Sequence, residues 1–395
     1  MIIVNLLILI VFITATASVV YLFTFAIAGH FYKNKKYNNN EQFRKIAIFM
    51  PSYKEDEVIL QTARQALLQQ YPSNKYDVYV IADSLKTETI SELKKLPLKV
   101  VEVSFDVSTK YKSLNKAFDS ITLAYDIAVI LDADNVMKHD FLDKVNAAFV
   151  SGCYAIQGHR TAKNKNTRFE ILEAIGEEAN NHMMKKGQVA LGFSSPIIGS
   201  GMAFSFLYLK HVMKEIEPVG GFDKELELRL IGDNHKITYL EDAIFQEIKI
   251  QKSEIFTIQS ISWISAQIFY LKKYWLKGAY KLLTGNFDYS NKVMYYALVP
   301  KDLLIGFLFI MTIMSALSPQ IFVVGFNEWF TITVMYYLAF IISVPKQFYN
   351  VKSLNALLAL PKTFFIMLKA MFKLKGADKN FIHTPHTAQF ENTTI

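Results

Sequence analysis

Residues 127–135 read Ile127-Ala128-Val129-Ile130-Leu131-Asp132-Ala133-Asp134-Asn135. Five apolar side chains in succession, stopped by polar ones, predict a short strand buried on both faces, the pattern of a parallel sheet. Two carboxylates then stand one residue apart at its C-terminal end, where open α/β sheets place their ligands. Packing does not account for them, because a buried carboxylate without a partner is costly. A hard divalent cation does, since it takes oxygen ligands and bridges phosphates. The alternative is a solvated loop carrying two surface aspartates.

The same alternation extends toward the N-terminus. Ile46–Met50, Val78–Ala82 and Leu98–Val103 are further short apolar runs, and Glu55–Gln70 has a helical pattern. This predicts an α/β domain with a mainly parallel sheet. The sequence has no repeat, no low-complexity tract and no glycine-rich phosphate loop, which disfavours P-loop and dinucleotide-binding folds. Polar residues follow three of the strands: Pro51-Ser52-Tyr53-Lys54-Glu55, then Asp83, then the Asp132/Asp134 pair. Any one of them reads as a helix cap. On successive strand ends, together, they point to a nucleotide site.

The 395 residues are enough for one catalytic domain and further segments, and 52% of them are hydrophobic, with a mean hydropathy of +0.19. A net charge of +8 calls for an anionic partner or surface. No basic run is interleaved with stacking aromatics and no nucleic-acid-binding motif appears, so nucleic acid is excluded as the partner. A membrane protein with its basic residues on the inner side gives the same charge. Cys153 is the only cysteine, which forbids an intrachain disulfide.

Ile2–Ala28 carries no charged side chain and is long enough to cross a bilayer. Lys33, Lys35 and Lys36 follow it and no basic residue precedes it, the reverse of a signal peptide. The expectation is a retained transmembrane helix over 1–30, N-terminus outside, followed by a cytoplasmic domain. Leu303–Val344 is about twice the length one crossing needs and contains no Lys or Arg. It reads as a transmembrane hairpin over 301–345, turning either at Ser318-Pro319-Gln320 or at Gly325–Trp329. In Leu354–Leu374, at about 100° per residue, Asn355, Lys362, Lys369 and Lys373 share one narrow face, with Pro361 a candidate kink. That describes an amphipathic interfacial helix over 350–376 against anionic membrane lipids, followed by a tail over 377–395. Tyr270–Leu283, with Lys272, Lys273, Lys277 and Lys281, makes 268–300 a second interfacial region or, alternatively, a solvated basic face.

In order along the chain, Pro-Ser-Tyr-Lys-Glu from Pro51, Ala82-Asp83, Lys112-Ser113-Leu114-Asn115 and Asp132-Ala133-Asp134 resemble a membrane-bound family 2 glycosyltransferase. The resemblance covers about Ile46 to Gln267. Cellulose, chitin and hyaluronan synthases and smaller lipid glycosyltransferases belong to that family. It implies a GT-A fold over 45–267 and a nucleotide-sugar donor, UDP-linked by preference. By the same resemblance Glu55 and Asp83 would hold the uracil and ribose, Lys112 would meet phosphate, and Asn115 would support the loop. Asp132 would contact the nucleotide and Asp134 would ligate Mg²⁺ or Mn²⁺. Gly199, Ser200 and Gly201 resemble the segment lining the acceptor site, and the structural alternative for these glycines is an ordinary tight turn.

The family's base lies in an acidic pair, usually Glu-Asp, at the start of a helix. Aligning Asp223 with that Asp leaves Phe222 in place of the Glu, with Glu225 and Glu227 as competing candidates. Many members also read Gln-x-x-Arg-Trp further on, with the Arg on the diphosphate and the Trp beneath the acceptor. Gln259 and Trp263 match, whereas Ser262 replaces the Arg. Serine cannot supply bidentate guanidinium contacts. The resemblance thus implies an inverting, metal-dependent transferase in the plasma or bacterial inner membrane, acting on a lipid-linked or saccharide acceptor. Two alternatives stand beside it. One is a processive polysaccharide synthase, which would need an oligomer or a channel partner. The other is a weakly active or inactive membrane scaffold.

Overall fold

The computed structural model describes residues 2–39, 41–216, 221–249, 253–320 and 322–372. Lys373 of the expected basic stripe and the tail 377–395 lie outside them. The chain divides into two compact units. One comprises Asn34–Asn164 with Ser194–Ile250; the other comprises Met1–Lys33, Lys165–Phe193 and Gln251–Lys375. Packing therefore assigns two stretches of the expected contiguous domain 45–267, namely Lys165–Phe193 and the part from Gln251 onward, to the helical unit.

The first unit is built on an eight-stranded sheet of order β3-β2-β1-β4-β7-β6-β8-β5. Its strands are β1 (Ile46–Tyr53), β2 (Tyr76–Asp83), β3 (Lys99–Val103), β4 (Ile127–Ile130), β5 (Asn135–Met137), β6 (Ala155–Ala162), β7 (Met202–Ser205) and β8 (Ile237–Glu247). β1 pairs in parallel with both β2 and β4, and β2 with β3. These are the apolar runs read from the sequence. Ile46, Ile48, Met50, Val78, Val80, Ile127 and Val129 are all buried in one core, as strands covered on both faces require. The far half is mixed: β7 runs antiparallel to β4 and β6, β5 runs antiparallel to β8, and β6 is parallel to β8. The chain winds from β1 out to β3 and then returns to place β4 on the other side of β1. That makes the C-terminal ends of β1 and β4 the switch point of the sheet, the place where open α/β sheets bind their ligands.

In the helical unit, Ile2–Gly29 is one helix, with Ala15, Val19, Leu22, Phe25 and Ala26 buried in a cluster with Trp329, Ile332, Tyr336 and Ala339. Its outer residues, among them Ile3, Leu6, Ile10 and Ile13, are exposed apolar side chains, which water disfavours and lipid accepts. Lys301–Leu317 and Phe326–Ser343 form a helical hairpin, pinned by Tyr336 Oη donating to Lys301 O at 2.6 Å and Tyr337 Oη to Ile305 O at 3.0 Å. The connection between these helices embraces Ser318-Pro319-Gln320 and ends at Gly325, so both sequence candidates bound one longer turn, while Phe326–Trp329 is already helical. Among the described residues, Ile2–Gly29 and Val351–Lys369 are long and apolar enough to span a membrane. A third span exists if Phe287–Ala297 and Lys301–Leu317, bent by 55°, act as one. Asn355, Lys362 and Lys369 are exposed as the stripe predicts, whereas Ala356, Phe364 and Met367 are buried. A 3₁₀ turn at Leu357–Ala359 interrupts this segment where Pro361 cannot bond back to the Leu357 carbonyl four residues earlier, and Leu360–Phe372 continues from it.

Candidate active site

Strand geometry sets the site. β1 runs on through Tyr53, pairing it with Asp83 at the end of β2, so Glu55 and Asp83 leave adjacent strand ends. The two residues just beyond those ends, Lys54 (φ 56°) and Ser84 (φ 57°), take left-handed backbone conformations that cost an L-residue about 1–2 kcal/mol. Such strain gathers at functional sites. Glu55 precedes the helix Asp56–Ala66 and is buried. Asp83 is only 1% exposed, and hydroxyls supply its hydrogen bonds: Ser108 and Ser84 donate to Oδ1 at 3.0 and 3.1 Å, and Ser113 to Oδ2 at 3.4 Å.

The Asp132/Asp134 turn is anchored from several sides. Leu131 N donates to Phe49 O at 3.0 Å, Thr62 Oγ1 to Ala133 O at 2.6 Å, and Asn135 Nδ2 to Asp134 Oδ1 at 2.7 Å. Asp132 forms an ion pair with Lys110, whose Nζ also donates to Gly199 O at 2.7 Å and lies 5.9 Å from the Phe222 ring centroid. Lys110 thus draws together the β4 turn, the glycine segment and the first turn of the helix Phe222–Gly232. Lys112 points elsewhere, donating to Val107 O at 2.8 Å, and Asn115 ties its own helix to Met213 O at 3.0 Å rather than to the strand-end loops.

The glycine segment is rigid. Gly199 and Gly201 have φ of 84° and 59°, and a Cβ on Gly201 would lie 2.0 Å from the Phe245 ring. Gln157, fully buried, accepts from Ile198 N at 3.0 Å and donates to Ser200 O at 3.0 Å. The Ser200 hydroxyl faces inward, accepting from Asp132 N at 2.9 Å and donating to Asn135 Oδ1 at 2.7 Å. Asp223 stands in the first turn of its helix, partly exposed, and among the described residues nothing bonds to its carboxylate. Glu225 is committed to Arg229 at 3.0 Å, and Glu227 is buried. Gln259 and Trp263 belong to the helical unit, on the helix Ser253–Leu283, where Ser262 and Trp263 are exposed.

The model of the glycosyltransferase-like family 2 matches residues 44–266. The chain belongs to this family. Its fold agrees with a solved member of the GT-A class: the mannosyltransferase PcManGT from Pyrobaculum calidifontis, in complex with GDP-Man and Mn²⁺, superposes with a TM-score of 0.53 at 15% identity over 85% of this chain and 96% of that one. More distant are glucosyl-3-phosphoglycerate synthase from Mycobacterium tuberculosis with Mn²⁺, UDP and phosphoglyceric acid (TM-score 0.40, 14% identity, 57% and 80% covered) and TarS 1–349 from S. aureus (0.40, 14%, 85% and 90%). No curated protein sequence matches.

As a GT-A glycosyltransferase the chain has a donor set that suits a divalent cation. Among the described residues no three His, Cys, Asp or Glu side chains converge. Mg²⁺ typically takes one or two carboxylates and completes its octahedron with phosphate oxygens and water. Asp134 and Asp132 offer that number. Sequence reading passed over Lys110, Asn135 and Gln157. The spacing of Lys110 from Lys112 held the missing signal, because two residues along a helix turn the side chain by about 200° and only one of the pair can face Asp132.

Proposed function

We propose that this family 2 glycosyltransferase moves a sugar from a nucleoside-diphosphate donor, UDP-linked by preference, to a lipid-linked or saccharide acceptor at the membrane. The observation that carries the reading is the convergence of Asp132, Lys110, Gly199 and the Phe222 end of the Asp223 helix at the sheet's switch point. Glu55 and Asp83 bind the nucleoside, with Asp83 as acceptor for a base or ribose donor. Asp134 and Asp132 hold a Mg²⁺ or Mn²⁺ ion that, when bound, neutralises charge on the diphosphate. Lys110 leaves Asp132 for the departing diphosphate and supplies the positive charge that Ser262 cannot. Phe222 offers Lys110 a ring face instead of the family's carboxylate, which leaves the ammonium available for phosphate. Asp223 accepts the proton of the acceptor hydroxyl as that oxygen attacks the anomeric carbon opposite the leaving group, inverting it. The commitment of Glu225 to Arg229 favours Asp223 in this role.

Gln259 and Trp263 serve the acceptor. The N-terminal helix, the 301–345 hairpin and the basic segments 268–300 and 350–376 hold the enzyme in and against the membrane, the α/β unit on the cytoplasmic side. Three crossings, the N-terminal helix and the two arms of the hairpin, favour adding one or a few sugars over extruding a polymer. The test is Asp223→Asn: turnover falls about 10²–10⁴-fold while nucleotide affinity stays within twofold of the parent. Unchanged turnover would remove Asp223 from the mechanism.

A further inference from the structure

Between the glycine segment and the Asp134 carboxylate runs one unbroken chain of hydrogen bonds, and its direction is fixed. The backbone N–H of Asp132 can only donate, so the Ser200 oxygen accepts from it at 2.9 Å. The single Ser200 proton then goes to Asn135 Oδ1 at 2.7 Å. With its oxygen so used, the Asn135 amide turns its nitrogen to Asp134 Oδ1, also at 2.7 Å. Asn135 and Ser200 are fully buried and Asp134 is 5% exposed, so water does not compete for these groups. Gln157 holds the Ser200 carbonyl from behind. The Ser200 hydroxyl spends its one proton on Asn135 and accepts from Asp132 N, and this commitment separates it from the acceptor-facing role that its place in the segment suggested.

We propose that Asn135 and Ser200 are positioning residues: they fix the plane of the Asp134 carboxylate for a divalent cation and couple the 199–201 segment to it. The inference rests on the metal-dependent reading above. A donor on one carboxylate oxygen orients the other groups around a metal, and such outer partners typically govern 10–100-fold in affinity. Any shift of the 199–201 backbone on acceptor entry moves Ser200, and through Asn135 it moves Asp134.

The test is Mn²⁺ binding to the full chain in detergent, read from the EPR signal of free aqueous Mn²⁺ with UDP, and separately with GDP, present. Asn135→Ala and Ser200→Ala each weaken Mn²⁺ binding about tenfold or more, and the double variant binds no more weakly than Asn135→Ala alone. Nucleotide binding without metal is unchanged, which separates a positioning role from general damage. Ser200→Ala removes a single oxygen and carries the test alone if Asn135→Ala does not melt cooperatively. Affinities within twofold of the parent, or losses that multiply in the double variant, overturn the coupling and leave the metal-dependent reading standing. A parent chain that binds no Mn²⁺ with either nucleotide overturns both.

Discussion

Gly201 shows what a single position contributes to the site. Its φ of 59° and the 2.0 Å approach of a built Cβ to the Phe245 ring mean that Gly201→Ala meets strain and overpacking together. The expected loss is more than about 2 kcal/mol, read by denaturant titration. Gly152, with φ of 95° and open space around it, meets strain alone, so Gly152→Ala loses about 1–2 kcal/mol. Equal losses would contradict the packing argument. At this scale the sequence made legible the place of Asp132 and Asp134 beyond the end of β4 and the left-handed backbone of Gly199 and Gly201. It was not legible where direction decides. Lys110 and Lys112 share a helix and a charge, and only the phase of that helix, capped by Thr109 accepting from Lys112 N at 3.3 Å, selects Lys110 for Asp132. Ser200 likewise keeps its place in the segment but turns inward.

Elements marked by an unbroken apolar run were readable and the others were not. β1, β2, β3 and β4 announce themselves by such runs, whereas β5 spans only three residues and the long β6 and β8 mix polar residues such as His159, Arg160, Glu241 and Asp242 among their apolar ones. The antiparallel half of the sheet therefore emerges only from tertiary pairing. The opposite end of the parallel half is closed by a polar cluster. Tyr125 donates to Asp77, its hydroxyl lies 2.8 Å from that of Tyr79, and Lys99 donates to both hydroxyls at 3.2 Å. Burial first, and the bonds with Asp77 and Tyr79 next, push the Tyr125 hydroxyl far above the usual tyrosine value. A folded value raised above the unfolded one contributes stability that is whole below about pH 10 and is lost as pH rises beyond it. Tyr125→Phe accordingly shows a shallower fall of stability above pH 10 than the parent. An identical slope in both would show that Tyr125 does not titrate differently on folding.

For the whole molecule, hydropathy picked out Ile2–Gly29, which is long and apolar enough to cross a bilayer, whereas Val351–Lys369, read from its basic stripe as interfacial, meets the same length and composition. Topology is a further step and is testable because Cys153 is the only native thiol. In a Cys153→Ser background, Lys36→Cys is expected to react with a membrane-impermeant maleimide in inside-out vesicles, and Gln320→Cys in intact cells. The reverse pattern would place the α/β unit outside. The proposal of a metal-dependent transferase meets its most direct test in nucleotide release. A panel of UDP- and GDP-sugars is incubated with the purified full chain in detergent, with and without Mn²⁺, beside Asp134→Ala. At least one donor is expected to release its nucleoside diphosphate only with Mn²⁺ present, and Asp134→Ala to abolish that release. Release that is indifferent to both Mn²⁺ and Asp134, or no release from any donor, would contradict the account.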